Sequence, residues 1–381
     1  MKKINSPVSI LEFGSTRTKL VIYDEIARNQ NLFYEQKIDF ANQKNLIENY
    51  EFEKIIIKAE KDIDLHLNEV ILMIDSHTIH TLDFSIQKNF EKKNITKNDL
   101  DRLINESENI FKLNNSDKEI LHTIKSKISF DNKVVEDLEN THDQVSDVII
   151  ELKFIVIQKK VYDTFKKLFS KNQISLKNTF CVSYIKSLGI INKMGIIGYS
   201  SFIDIGLNKS SLTIFYNNKL LYLNSTHIGG NHITNDIKKI LNIDYRKAEA
   251  KKIKFSKNNS RQKNNTNENK YLQKIINSRL EEIIELLFMN CPLVQNNIFS
   301  SDLKLFFIGN GSKVLNENLL TFGSEFEFIS EMSIIDEQNK DCCESAIQYN
   351  IENQQIQPQI SNTNIENKGL FEKLFEYFSK K

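Results

Sequence analysis

The sequence predicts an α/β fold in which one strand-hairpin motif occurs twice, at residues 8–23 and at residues 201–216. In each copy an apolar strand ends near an acidic residue and a glycine, and a turn leads into a second strand. These two positions are Glu12 and Gly14 in the first copy, and Asp204 and Gly206 in the second. The repetition predicts a duplicated fold with two facing phosphate loops, although each hairpin taken alone is also compatible with a plain β-hairpin.

The second copy continues into a longer motif. Asn217 and Asn218 tolerate positive φ and predict a tight turn, after which a strand at residues 220–226 leads to Gly229 and Gly230. Apolar residues then recur at helical spacing, which predicts that the glycine pair opens a helix. Glycines at a helix start let backbone N–H groups approach an anion. The alternative is a hairpin and helix whose glycines serve packing.

Further residues point to the same chemistry. Ser15 and Thr16 place hydroxyl groups in the first turn, where they can cradle a phosphate. An apolar strand at residues 303–308 runs into Gly309 and Gly311. A glycine-rich strand end followed by a helix is typical of nucleotide sites, although this short motif is weak evidence alone.

Length, charge and cysteine content restrict the class of protein. The chain has 381 residues, enough for two or three domains. Its 51 basic and 50 acidic residues nearly cancel, which argues against a nucleic-acid partner held by bulk charge. No apolar run is long enough for a membrane-spanning helix, and no signal peptide is evident. The four cysteines form no CxxC motif and are expected to be reduced thiols.

An insertion is predicted between the two copies. A strand at residues 80–90 precedes Thr96 and Asp99, which form the pattern of a helix capping box. Strands at residues 121–131 and 148–157 follow, so the insertion is expected to be α+β. His77 and His80 have HxxH spacing, but a strand or loop points them apart and a metal site is not expected.

A helix at residues 245–255 carries Glu249 and Lys252 on one face. Two interpretations stay open: a solvated ion pair, or a pair that reaches a ribose or base.

The last segment, residues 369–381, has the pattern of an amphipathic helix behind a polar stretch at residues 350–368. One face is apolar and consists of Leu370, Phe371, Leu374, Phe375 and Phe378. Such a helix either docks in a partner groove or lies in a membrane interface; packing onto its own domain is the alternative.

In this order the motifs resemble the actin/Hsp70/sugar-kinase ATPase superfamily, and within it the FtsA family of actin-like bacterial cell-division proteins. The runs that carry the resemblance are IGGNHITNDI (228–237), AEAKKIKF (248–255), IINSRLEEIIELL (275–287), ITKNDLDRLI (95–104) and ILHTIKSKISFDN (120–132). The amphipathic end after a polar linker is similar as well.

The resemblance implies an actin-like (RNase H-like) duplicated ATPase fold with an inserted α+β subdomain and a C-terminal amphipathic helix. The implied division is 1–69 and 158–198 for the first half, 70–157 for the insertion, 199–242 and 302–349 for the second half, 243–301 for a small nucleotide-side subdomain, 350–368 for a flexible linker and 369–381 for the membrane-targeting helix.

The resemblance also implies ATP and Mg²⁺ in the central cleft. Residues implied to face the phosphates are Gly14, Ser15, Thr16, Gly206, Gly229 and Gly230. Glu249 and Lys252 would contact ribose and adenine, and Gly309 and Gly311 would back the adenosine. Asp204 would lie near the metal, and Asp204 and Glu12 would be the two catalytic carboxylates.

Members of this family assemble on the cytoplasmic face of the inner membrane at the division site. Partners implied for this chain are the FtsZ C-terminal peptide, further copies of itself, membrane lipids and other division proteins, and no nucleic acid.

Departures from the family pattern predict that ATP hydrolysis is slow or absent. The phosphate loop lacks two glycines at Leu207 and Asn208, whose side chains restrict a close backbone approach. Its closing carboxylate is replaced by Leu212, and Lys209 offers a direct charge in place of lost amide contacts. Alternative functions are an actin-like component of a type IV pilus machine and a small-molecule kinase of the same superfamily.

Overall fold

The computed structural model describes residues 6–26, 31–37, 51–135, 142–259, 267–299, 302–315, 326–338 and 340–356. Contacts divide the chain into one unit over Met1–Ala346 and a second over Ile347–Lys381.

The strands, in chain order, are β1 (Pro7–Phe13), β2 (Arg17–Asp24), β3 (Asn31–Lys37), β4 (Glu69–Ile74), β5 (His80–Ile95), β6 (Lys118–Phe130), β7 (Lys133–Val134), β8 (His142–Gln158), β9 (Ser175–Cys181), β10 (Tyr199–Ile205), β11 (Ser210–Tyr216), β12 (Lys219–Thr226), β13 (Leu303–Ile308) and β14 (Ile329–Ile334). The helices are α1 (Glu51–Ile63), α2 (Lys97–Asn114), α3 (Lys159–Lys171), α4 (Val182–Met194), α5 (Gly230–Ile240), α6 (Tyr245–Asn259), α7 (Asn267–Met289), α8 (Pro292–Gln295) and α9 (Asp341–Ile356).

Two sheets repeat one strand order. The first is β3-β2-β1-β4-β9 and the second is β12-β11-β10-β13-β14. In each sheet three antiparallel strands form a meander, and the strand that begins it also pairs in parallel with a later strand. This duplication confirms the predicted actin-like fold with two RNase H-like sheets.

Apolar strands place both sheets in the core. Ile10 and Ile71 of the first sheet, and Ile203 of the second, are fully buried. The second sheet packs against α5 and α7 through one apolar cluster that includes Ile237 and Leu280. The helical periodicity seen after the glycine pair therefore marks the face of α5 that covers the sheet.

The insertion forms a third sheet of order β5-β8-β6-β7, which packs against α2. Helix α2 begins with the predicted capping box, because Thr96 Oγ1 accepts a hydrogen bond from the Asp99 N–H at 3.3 Å. Asp99 Oδ2 accepts the Thr96 N–H at 3.1 Å in return. The predicted α+β insertion is confirmed in this respect.

Three details differ from the sequence-based expectations. Strand β4, assigned to the insertion that starts at residue 70, pairs with β1 and β9 in the first sheet, because its buried apolar side chains fill that core. Gly309 leads into a 3-10 turn over Asn310–Val314 and not into an α-helix.

The third difference is at the linker predicted for residues 350–368. Helix α9 continues to Ile356, so the first part of that segment is helical. Asp341 and Glu344 stabilise the first turn of α9, and once a helix is nucleated, Glu and Gln extend it at little cost. The amphipathic segment at residues 369–381 lies outside the described residues.

Candidate functional site

The candidate site lies where the carboxyl ends of parallel strands meet. Parallel strands open their carboxyl ends at one edge of a sheet, which brings residues near those ends together. Asp75 directly follows β4, Asp204 is next to last in β10, and Glu337 lies shortly after β14. The site thus draws carboxylates from both sheets.

The two hairpin loops close in the same way. The N–H of Gly14 donates to the carbonyl of Arg17 at 3.1 Å, and the N–H of Gly206 donates to the carbonyl of Lys209 at 2.9 Å. The shared bond confirms that the motif is repeated in three dimensions. In the first loop Ser15 is half-buried and Thr16 is exposed.

Glu12, a predicted catalytic carboxylate, forms an ion pair inside the first hairpin. Lys19 Nζ lies 3.1 Å from Glu12 Oε1 and 2.9 Å from Oε2. Burial acts to lower the pKa of Lys19, but the attraction and hydrogen bond of Glu12, together with Cys342 and Cys343, leave the pKa raised. The carboxylate is therefore neutralised by a lysine of its own hairpin.

Asp204, the predicted metal ligand, is paired with a lysine from α4. Lys186 Nζ lies 2.9 Å from Asp204 Oδ2 and 3.0 Å from Glu337 Oε2. Burial acts to lower the pKa of Lys186, but the two carboxylates hold it well above its usual value. Burial likewise acts to raise the pKa of Asp204, and Lys186 and Lys209 outweigh it, so this pKa is lowered.

Lys209 makes a second ion pair across the site. Its Nζ contacts Asp75 Oδ1 and donates to Ser211 Oγ at 2.7 Å. The Ser211 hydroxyl also lies 2.7 Å from the Ser183 hydroxyl at the start of α4. Burial raises the pKa of Asp75, and the attraction of Lys209 opposes that shift only in part. The charge that sequence analysis noted at Lys209 is thus directed at a carboxylate.

The helix start at Gly229 and Gly230 packs directly on the second loop. The N–H of Gly230 donates to the carbonyl of Gly206 at 2.9 Å, and the N–H of Asn231 donates to the carbonyl of Leu207 at 2.7 Å. A Cβ added to Gly229 would lie 2.7 Å from Lys209 N and 2.8 Å from the Gly206 carbonyl oxygen. Gly229 therefore permits two backbone segments to touch.

Gly309 and Gly311 serve a similar contact. Gly309 has φ 85°, which favours glycine, and its N–H donates to Glu337 Oε2 at 2.7 Å. A Cβ at Gly309 would collide with the Asp204 carboxylate, and one at Gly311 would lie 2.7 Å from the Ile205 carbonyl oxygen. Both glycine pairs of the second half thus lie against residues 204–209.

Glu249 and Lys252 form an ion pair at 2.8 Å. Lys252 Nζ also donates to the Gly230 carbonyl at 2.9 Å and to Thr234 Oγ1 at 2.7 Å. Lys252 is buried, so the interpretation as a solvated ion pair is wrong for the lysine. The predicted contacts of both residues with ribose and adenine stay a prediction.

Sequence analysis missed Lys186, Asp75 and Glu337. Asp75 carried a usable signal, because it ends an apolar strand as Asp204 does. Lys186 stands in an otherwise largely apolar turn of α4, which is another such signal. Glu337 lies three residues beyond the half-buried strand β14 and was not predicted from the sequence.

The residues around Asp204 do not fit a divalent cation. Mg²⁺ needs oxygen ligands and keeps several of its waters, whereas an ammonium group occupies the space beside each predicted carboxylate. Across the described residues no cluster of three or more His, Cys, Asp or Glu side chains has the geometry of a metal site. His77 lies against His227, with ring centroids 6.5 Å apart.

Residues 201–362 match the family model described as "Cell division protein FtsA". This segment is FtsA-like. It includes β10–β14 and α5–α9, so it carries the second loop, the glycine helix start and the Glu249–Lys252 pair. The FtsA resemblance inferred from the sequence is confirmed.

Two curated relatives agree with the FtsA assignment. They are the cell division proteins FtsA of Helicobacter pylori strains ATCC 700392 / 26695 and J99 / ATCC 700824, each 25% identical over 165 residues. The match spans 42% of this chain and 32% of each relative, about a third of the relatives' length.

The fold of nearly the whole chain is also found in a solved structure described as "PilM-PilN type IV pilus biogenesis complex". It covers 94% of this chain and 100% of that chain, with a TM-score of 0.56 and 11% sequence identity. At this identity the likeness shows the actin-like fold alone. The match to MreB5 of Spiroplasma citri, solved bound to ADP, has a TM-score of 0.47 at 11% identity and covers 92% of this chain and 98% of that chain.

Proposed function

We propose that this protein is an actin-like cell-division protein that self-assembles at the cytoplasmic face of the inner membrane, at the division site, and tethers the FtsZ ring there. The observation that carries the proposal is the FtsA match over residues 201–362, which spans the second sheet and its helices. Recruitment of later division proteins belongs to the same proposal.

Attachment to lipid is assigned to the amphipathic segment at residues 369–381. Its apolar face carries three phenylalanines and two leucines, which suit burial at the headgroup boundary. No helix among the described residues is long and apolar enough to cross a membrane. One such segment binds weakly, and assembly of several copies multiplies its affinity.

Scaffolding accords with the cleft better than ATP turnover does. Asp204 and Glu12, the predicted catalytic carboxylates, each pair with a lysine at 2.9 Å. A paired carboxylate is a poor base and a poor cation ligand until the lysine leaves. Binding of ATP and Mg²⁺ stays a sequence-based prediction. Tethering does not require ATP hydrolysis.

Binding of a fluorescent FtsZ C-terminal peptide to the full chain tests partner choice. We expect saturable binding, with a scrambled peptide as control. Lipid attachment is tested separately, by vesicle co-sedimentation of the double variant Phe371→Glu/Phe375→Glu. The matched control is Glu372→Gln/Glu376→Gln on the polar face.

Loss of sedimentation in the phenylalanine variant alone supports the tether. Equal sedimentation of both variants contradicts it. Absence of peptide binding would contradict the FtsZ proposal and would favour one of the two alternative functions. A phosphoryl-transfer screen then distinguishes a small-molecule kinase, which transfers phosphate, from a pilus-assembly component, which does not.

A further inference from the structure

Two groups of buried ion pairs, around Lys186 and Lys209, join the first half of the fold to the second. Lys186 lies on α4, the helix that follows β9 of the first sheet. Its Nζ lies 2.9 Å from Asp204 Oδ2 and 3.0 Å from Glu337 Oε2, both in the second half. Asp75 directly follows β4 of the first sheet, and its carboxylate contacts Lys209 of the second half. Each half therefore contributes one lysine and at least one carboxylate, and each lysine pairs with a carboxylate of the other half.

Neutral hydrogen bonds reinforce the same junction. The hydroxyls of Ser183 and Ser211 lie 2.7 Å apart, and those of Ser187 and Thr213 lie 2.8 Å apart. All four side chains are buried, and each pair joins α4 to β11. The two halves are thus connected by protein groups in the region where the family resemblance implies that a nucleotide joins them.

Backbone donors of the second loop and of the α5 start are already engaged within the protein. The first N–H groups of a helix lack intrahelical partners and are its anion-binding groups. In α5 those of Gly230 and Asn231 donate to carbonyls of the second loop at 2.9 and 2.7 Å. The N–H of Gly206 closes its own hairpin. A phosphate would have to displace protein carbonyls from each of them.

The charge balance also disfavours a polyphosphate. The cluster has two lysines, Lys186 and Lys209, against three carboxylates, and each of these side chains is at most 21% exposed. A phosphate that took over either lysine would leave a buried carboxylate unpaired, which is the costly arrangement for a buried charge. The lysines therefore act as fixed cations for the protein's own carboxylates.

We propose that the Lys186–Asp204–Glu337 and Lys209–Asp75 ion pairs replace nucleotide and Mg²⁺ as the link between the two halves. The protein then folds and assembles with its cleft held by its own side chains. This inference does not rest on the function proposed above, because the protein can bind FtsZ whether or not its cleft binds nucleotide.

The first test uses the full, unmodified chain. We expect acid extraction of the purified protein to release no nucleotide, and the Tm to be the same in ATP with Mg²⁺, in ADP with Mg²⁺ and in EDTA. A ligand at about a hundred times its Kd raises the Tm of a protein of this size by several degrees. Such a rise, or a stoichiometric amount of released nucleotide, would overturn the proposal.

The second test removes the fixed cation. Lys186→Met leaves two buried carboxylates without their partner, so we expect the Tm to fall by several degrees. Magnesium chloride should then raise the Tm of Lys186→Met and leave the unmodified chain unchanged, because the freed carboxylates gain a cation. The matched control is Lys193→Met on the same helix, whose lysine side chain is 73% exposed.

Equal Tm values for the two lysine variants would contradict the proposal, as would magnesium stabilising the unmodified chain. If Lys186→Met does not fold, the double variant Lys186→Met/Asp204→Asn decides, because it also removes an uncompensated charge. Recovery of soluble protein supports the ionic link, and no recovery contradicts it.

Discussion

The imidazole Nε2 of His122 accepts a hydrogen bond from the backbone N–H of Cys181 at 2.8 Å. His122 lies on β6 of the inserted sheet, and Cys181 ends β9 of the first sheet. The ring stacks on Phe180 and meets Tyr184 edge-on. A neutral imidazole therefore joins the insertion to the strand end from which α4 and Lys186 begin.

This contact predicts a loss of stability in acid. Burial lowers the pKa of His122 from 6.5 to about 3. Below about pH 6.5 the unfolded chain takes up a proton that the folded chain refuses, so stability falls as pH falls toward 3. At pH 5 the loss from this residue is about 2 kcal/mol.

Urea unfolding of the chain at pH 7 and pH 5 measures the effect. His122→Gln keeps an acceptor but does not titrate, so its stability should change less between the two pH values. The control is His66→Gln, because His66 has a side chain 89% exposed. A pH dependence that is the same in all three proteins would show that His122 is not responsible.

The adjacent glycines at the helix start are predicted to differ in their tolerance of a side chain. A Cβ on Gly229 meets backbone atoms at 2.7–2.8 Å, whereas one on Gly230 meets nothing nearer than 3.5 Å. Gly229→Ala should lower the free energy of unfolding by about 1–3 kcal/mol. Gly230→Ala should leave it unchanged or raise it by up to about 1 kcal/mol, because alanine favours a helix. Chemical denaturation of both variants compares them, and equal losses would refute the contact.

Arg279 of α7 is predicted to act as a two-point clamp on α5. Its Nε lies 2.6 Å from Asp236 Oδ2 and its Nη2 lies 3.0 Å from Oδ1. Lysine cannot make this bidentate contact, so Arg279→Lys should cost about 1 kcal/mol of unfolding free energy. The exposed Arg246 provides the control substitution Arg246→Lys, which should cost almost nothing. If Asp236→Asn abolishes the difference between arginine and lysine at position 279, the clamp is confirmed; if it does not, the clamp is wrong.

Local patterns were sufficient to predict much of the fold. The asparagine turn forms as expected, with φ 45° at Asn217 and 67° at Asn218, and Thr96 and Asp99 form their capping box. Apolar patterns located the inner strands of both sheets and the covering face of α5, because burial of one face decides each of these elements. The edge strands β9 and β14 were not predicted from the sequence.

The site was less predictable, because its partners are far apart in sequence. The glycines were expected to let the backbone approach a nucleotide, which stays a prediction; at Gly229, Gly309 and Gly311 the group that approaches is another loop of the same chain. The pairing of Lys186 with Asp204 depends on how α4 crosses to the second sheet, and no local pattern contains that information.

Reconstitution on vesicles tests the central claim most directly. The full chain is mixed with FtsZ and vesicles containing anionic lipid, without added ATP and after treatment with apyrase, and FtsZ in the vesicle pellet is measured. We predict that FtsZ sediments only when the chain is present, to the same extent with and without apyrase, and not with Phe371→Glu/Phe375→Glu. FtsZ that stays in the supernatant in the presence of the unmodified chain, with or without ATP, would contradict the tether.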